Sequence, residues 1–242
     1  ITIWWRRSAA AHRQHKPAAY FLLPGSSVMA TVSQSPPHPS LADHCRAIAR
    51  RSRTAAFELA AVPGDQRAAG LRAAAARIRA DAGAILAANA QDLAAAPGFG
   101  LTAAATDRLK LDTDRIEGIA AGVEAVAGLP DPVGEVIESV VRPNGLEVRK
   151  VRVPLGVVFF IYESRPNVTA DAAAVAIAAG NAIILRGGKE AAHSSRQIVD
   201  SMRQAIGAAG LPADSVQLVD VADREAVGAF LQFDDLIDLA IP

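Results

Sequence analysis

The stretch VPLGVVFFIYESRPNVTADAAAVAIAAGNAIILRGGK, residues 153–189, decides how the remainder of the chain is read. It opens on an apolar run, Leu155 to Tyr162, too short and too rich in β-branched and aromatic residues to favour helix. A polar turn follows, Glu163-Ser164-Arg165-Pro166-Asn167, and then an Ala/Val-rich segment that Gly180 can stop with a left-handed cap. A second apolar run, Ala182 to Leu185, leads into Arg186-Gly187-Gly188-Lys189 and another helical segment. The pattern predicts strand–turn–helix–strand–turn–helix, the βαβ unit of a parallel sheet. Ligands of such sheets bind beyond the carboxyl ends of the strands, where both polar turns belong.

C-terminal to this unit the alternation continues. Ile198, Met202, Ala205, Ile206 and Ala209 mark one helix face, ended by Gly210 and Pro212. Val216 to Val219 reads as a strand, Arg224 to Phe233 as a helix and Leu236 to Ile241 as a fourth strand. Residues 154–242 are therefore expected to form an open, Rossmann-like parallel sheet, left incomplete because so hydrophobic a sheet would ordinarily continue.

On the N-terminal side, Val136 to Val141 and Leu146 to Val153 are β-rich runs joined by Arg142-Pro143-Asn144-Gly145, a hairpin signal. This 135–153 hairpin reads either as a charged surface ribbon or as an arm adding strands to a second copy, giving a homo-oligomer. Residues 41–134 read as helical: an amphipathic helix over 41–62 stopped by Pro63-Gly64, a long Ala-rich one over 65–96, and a block over 102–127. Residues 1–40 are expected to be a disordered extension. Their acid-poor, Arg-containing start is similar to a transit peptide, and Met29 offers an alternative start.

Composition narrows the classes of function. Basic and acidic residues balance at 25 each, and residues 29–242 carry 21 basic against 25 acidic, so neither nucleic acid nor an anionic membrane is an expected partner. No apolar run approaches the roughly 20 residues needed to span a bilayer. The single Cys45 rules out an internal disulfide or a cysteine zinc cluster, and a reducing, cytoplasmic setting fits. Cys45 stands next to His44, but adjacent helical residues point apart, so packing is the expected role.

The two turns carry the chemistry. Neither the G-x-G-x-x-G fingerprint nor the P-loop is present. Arg186-Gly187-Gly188-Lys189 at a strand end still suits a phosphate, because glycines admit close backbone approach, the next helix offers free N–H groups and two cations flank them. Gly-Gly in that position is equally compatible with a purely geometric turn. Asn167 can cap the following helix or donate its amide to a developing oxyanion. Arg165 can bind a carboxylate or phosphate, or be solvated.

PLGVVFFIYESRPNVT (154–169) followed by GNAIILRGGKEA (180–191) resembles the gamma-glutamyl phosphate reductases of the aldehyde dehydrogenase superfamily. ANAQDL (88–93), DRLKLDTDRIEGIAAGV (107–123), DPVGEV (131–136) and PNGLEV (143–148) extend the match over about 40–242. The resemblance implies an α/β, aldehyde dehydrogenase-like fold and an NADP-dependent reduction of L-glutamate 5-phosphate to the 5-semialdehyde in proline biosynthesis. It also implies a cysteine nucleophile, Asn167 as oxyanion donor, and Arg186 and Lys189, with Gly187 and Gly188 between them, on the cofactor's adenosine end, which leaves Arg165 as the candidate substrate-binding residue on its own chemistry. Two departures accompany it. The family's nucleophile belongs to a second domain beyond the LIDLAIP strand, so the chain is expected to be truncated before its catalytic domain. Phe159 stands where a glycine is usual. A non-catalytic nucleotide-binding or oligomerisation module derived from the same family is the alternative reading.

Overall fold

The apolar alternation along residues 157–161 and 182–186 is satisfied by burying both faces of a sheet. In the computed structural model, which describes residues 40–221 and 223–242, Val157, Phe159, Ala182 and Ile184 pack into one core, while Val158, Ile183 and Leu185 pack into another. Two buried faces are the reason these strands read as continuous hydrophobic runs. The expectation for residues 1–39 lies outside the described residues. Ser40 caps the first helix through a reciprocal capping box with Asp43.

The elements run α1 (Leu41–Ala60), α2 (Gly64–Ala80), α3 (Ala82–Ala95), α4 (Ala103–Leu109), α5 (Thr113–Ala127), β1 (Val136–Val141), β2 (Glu147–Val151) and β3 (Val157–Ile161). They continue as α6 (Pro166–Ala178), β4 (Ala182–Arg186), α7 (Ala192–Ala208), β5 (Val216–Leu218), α8 (Glu225–Phe230) and β6 (Leu239–Ile241). Strands β3 to β6 form a parallel sheet in the order β5-β4-β3-β6. Helices α1 and α8 cover one face, where Phe159 stacks on Phe230 at 4.8 Å between ring centroids. Helices α6 and α7 cover the other, with α2, α3 and α5 packed across them. This is the α/β arrangement the sequence predicts, an open parallel sheet covered by helices on both faces.

Both glycine stops act as the sequence indicates. After α6, Gly180 takes φ +75° while its N–H donates to Ile177 and that of Asn181 to Ala176. After α7, Gly210 takes φ +82° with matching bonds to Gly207 and, from Leu211, to Ile206. Each pair is a Schellman motif. Asn181 then uses its side-chain carbonyl to accept from the N–H groups of Leu155 and Gly156, tying the end of α6 to the entry of β3.

Two expected helices are each split. The long Ala-rich one breaks at Asp81, whose carboxylate accepts from Arg77 on the same helix and from Ser201 on α7. The next block breaks between α4 and α5, where the buried Asn89 of α3 donates to the carbonyl of Leu109 and accepts from the N–H of Leu111. A side-chain amide thus satisfies the backbone that the break exposes.

The ribbon β1–β2 is antiparallel and exposed along its whole length. Pro143 and Asn144 occupy its corner and Gly145, at φ +84°, closes it with a left-handed bulge. Here Arg142 donates to Leu146 and accepts from Gly145. Val136, Ile137, Val140, Val141 and Val148 are all exposed on it. Glu138, Glu147, Arg149 and Lys150 are exposed on it as well, so the ribbon carries both apolar and charged side chains.

Candidate functional site

Parallel register places the two polar turns side by side. Ile161 pairs with Arg186, and the N–H of Tyr162 donates to the Arg186 carbonyl at 3.1 Å, so both turns leave the same edge of the sheet. In the first, Arg165 occupies the N-cap position of α6 and Pro166 the first helical position, where its fixed φ suits the helix. Asn167 is therefore inside the helix and does not cap it. Its amide donates to Asp171 one turn on, over a long 3.4 Å, and is otherwise open to solvent. Burial pushes the Asp171 carboxyl up, opposed by that hydrogen bond. Arg165 is half-buried and its Nη2 lies 3.4 Å from Glu163. Its Nε is buried with no hydrogen-bond partner among the described residues.

The second turn explains its glycines by contact. A Cβ on Gly187 would sit 3.0 Å from the Tyr162 ring, and one on Gly188 would sit 2.0 Å from the Ser164 hydroxyl. The turns are packed together, and only glycine permits that approach. Ser164 in turn donates to Glu190, and Arg186 to the Gly187 carbonyl. Lys189 reaches over the ring of Phe99, its ammonium 4.9 Å from the centroid, a cation–π contact that fixes the position of its charge.

Around this turn lies a shallow cleft, about 70 Å³, lined by Arg186, Gly187, Lys189, Ser195, Arg196, Asp220 and Val221 among others. Three cations make it suited to a phosphorylated ligand. Asp220, a carboxylate on it, is 2.8 Å from His44 Nε2. Burial works against Asp220's charge, but the His44 hydrogen bond and charge outweigh it and hold the carboxyl below the usual range.

Several residues that anchor these turns escaped the sequence reading. Asp92, buried on α3, accepts from the N–H groups of His193 and Ser194 at 3.0 and 2.8 Å and from the Ser194 hydroxyl at 2.5 Å. It thereby caps α7 from another helix. Tyr162, Thr169 and Ser195 form a hydroxyl chain with steps of 2.7 and 3.2 Å linking the first turn, α6 and α7. The ANAQDL signal contained Asn89 and Asp92, but nothing local shows which distant N–H groups they serve.

Cys45 is fully buried in the α1/α8 face, across the sheet from α6. Burial, then the nearby Asp220 charge, push its thiol up, the opposite of what a nucleophile needs. Phe159 is fully buried in the same core, so its bulk is taken up between the sheet and α8. Among the described residues no group of His, Cys, Asp and Glu is arranged for a metal, and no helix is long and apolar enough to cross a membrane.

The profile of the aldehyde dehydrogenase family matches residues 27–240. The chain is 58% identical over 192 residues to the gamma-glutamyl phosphate reductase of Rhizorhabdus wittichii, a match covering 79% of this chain and 45% of that protein. Its fold is similar to the crystal structures of the gamma-glutamyl phosphate reductases of Thermotoga maritima and Saccharomyces cerevisiae, with TM-scores of 0.80 and 0.76. Sequence identities to those two are 36% and 35%, and the matches cover 83% and 85% of this chain against 48% and 51% of theirs. The chain thus spans about half the length of the relatives it matches.

Proposed function

The chain belongs to the aldehyde dehydrogenase family, and we propose that it forms the nucleotide-binding part of an NADP-dependent gamma-glutamyl phosphate reductase. The reaction is the reduction of L-glutamate 5-phosphate to L-glutamate 5-semialdehyde in proline biosynthesis, carried out in the cytoplasm. The observation that carries this reading is the register-locked pair of turns: a cationic cleft at Arg186–Lys189 and, at the same sheet edge, an exposed carboxamide on Asn167.

The roles follow from what each group can do. Arg186 and Lys189, with Gly187 and Gly188 between them, are assigned to the phosphorylated ribose of NADPH, since two cations favour a 2′-phosphate. When bound, NADPH supplies the hydride that reduces the acyl carbon. Asn167 is assigned to the oxyanion that develops on that carbon, as the helix holds its amide at the edge of the site. Arg165, whose buried Nε is unsatisfied among the described residues, is assigned to the phosphate of the substrate. Cys45 is excluded as nucleophile by its burial and place; the thiol is assigned to the length of the relatives that this chain does not span. The ribbon β1–β2 is assigned to a homo-oligomer contact.

Nucleotide preference tests the reading. The 242-residue chain is expected to bind NADPH more tightly than NADH, and Lys189→Ala to shrink the difference by about 1–3 kcal/mol, the worth of a charge-assisted hydrogen bond. Titration calorimetry with both nucleotides measures it. Equal affinities before and after the replacement would remove the phosphate role.

A further inference from the structure

A second cleft opens beside Asn167. It lies open to solvent, with about 360 Å³ of space, between the end of α4, the break before α5, and the first turns of α6. Its lining joins charges of both signs to an apolar floor. Asp171 stands on it next to Asn167, and Arg108 and Lys110 face it from the other side. Leu111 and Ile119, only 7% and 4% exposed, belong to its floor, and Gly118 leaves space, since a Cβ there would meet nothing within 4 Å.

Not all of these charges are available. Arg115 donates to both carboxylate oxygens of Asp107 at 3.1 and 3.2 Å and to the Lys110 carbonyl, so that pair is internally consumed. Arg108 and Lys110, by contrast, make no salt bridge among the described residues, and Asp171 has only the long contact to Asn167. One uncommitted carboxylate and two uncommitted cations therefore face a common space, next to an amide that can hold a carbonyl oxygen. A ligand that matches has an ammonium and a carboxylate on one carbon, and a short apolar spacer ending in a carbonyl carbon.

We propose that this cleft binds the zwitterionic α-amino-carboxylate end of the substrate, with Asp171 taking the ammonium and Lys110 and Arg108 the carboxylate. The two methylenes of a glutamyl group then lie on Leu111 and Ile119, and its terminal carbonyl meets Asn167. The assignment rests on the proposed glutamyl substrate and deepens it. Selectivity is built in by unpaired charge: a ligand without the ammonium leaves Asp171 beside its own carboxylate, and one without the carboxylate leaves the two cations unanswered.

The test uses the 15N-labelled 242-residue chain titrated with L-glutamate, glutarate and 4-aminobutyrate, which respectively carry both groups, lack the amine, and lack the α-carboxylate. L-Glutamate is expected to shift the Asn167 side-chain amide resonance and the backbone resonances of 108–111. The other two ligands are expected to bind roughly tenfold or more weakly, the loss of one charge-assisted bond. Asp171→Asn is expected to erase the preference over glutarate alone, and Lys110→Met to reduce that over 4-aminobutyrate alone, so one variant suffices should the other fail to fold. Three equal affinities, unchanged preferences in a folded variant, or no shift up to about 100 mM, a bound set by the affinity of even one weak contact, would overturn the proposal. NADPH titrated into the same samples separates the two readings: nucleotide binding without glutamate discrimination sinks this inference alone, and the converse sinks the nucleotide assignment.

Discussion

Replacing Asp131 by alanine is expected to lower the unfolding free energy by about 3 kcal/mol, the low end of what breaking a buried ion pair costs. Arg67 on α2 is 1% exposed, and its Nη2 lies 2.7 and 2.8 Å from the two Asp131 oxygens. Among the described residues its Nε and Nη1 have no partner, so the carboxylate is the group that offsets the buried charge. The Asp131 side chain is itself 38% exposed, so water can replace part of what is lost, which argues for the lower figure. The fold makes room for this pair: a Cβ at Gly64 would fall 2.0 Å from Asp131 Oδ2, and one at Gly180 2.5 Å from Arg67 Nη1. Adding Arg67→Met to the alanine variant is expected to recover most of the loss, because the pair is replaced rather than broken. Urea denaturation of both variants decides it. A single-variant loss below about 1 kcal/mol would show that Arg67 is solvated or paired otherwise.

Asp92→Ala should be nearly as costly and should reach the nucleotide cleft. It strips an acceptor from two backbone N–H groups and one hydroxyl at the start of α7, each worth roughly 1–3 kcal/mol when left unsatisfied in the interior. Asn89 donates to the Ser194 hydroxyl and remains, so part of the network survives. A net loss of about 3 kcal/mol follows. Because the same turn carries Ser195 and Arg196 into the cleft, NADPH affinity is expected to fall together with stability. Asp92→Asn, which keeps one oxygen, should be intermediate. Denaturation midpoints and NADPH titrations on the two variants measure both effects. Full nucleotide affinity in a destabilised alanine variant would show that α7 is capped without regard to the cleft.

What the sequence made legible is what depends on near neighbours. The apolar runs 155–162 and 182–185 mark buried strands, and Gly180 and Gly210 mark helix ends, since a left-handed residue needs no distant partner. The break at Asp81 is held by Ser201 on α7, a partner far off in sequence; that at Lys110–Asp112 is held by Asn89 on α3 and also by a local signal, Asp112 capping α5 by accepting from the Arg115 N–H. At the site, Arg165, Asn167 and the Arg186–Lys189 turn could be located on one sheet edge from the βαβ pattern. Their surroundings could not. That Gly187 accommodates Tyr162, that Gly188 accommodates Ser164, and that Lys189 rests over Phe99 are contacts between segments far apart in the chain. The mixed-charge cleft went unread for the same reason, since Asp171 and Lys110 belong to different helical blocks.

The outermost strand carries a consequence for the order in which the chain assembles. β3, β4 and β5 follow one another and can pair by closing short crossovers, whereas β6 must return across some 81 residues to lie against β3. That contact is held by one side chain. Asp238 accepts from the N–H of Val157 at 2.7 Å and pairs with Arg53 of α1 at 2.8 Å, and Gly156 at φ +120° leaves the gap its carboxylate fills. Distant closure is slow because chain entropy must be surrendered before any contact forms. The carboxylate therefore acts as a clasp, joining the entry of β3, the approach to β6 and helix α1 through one side chain.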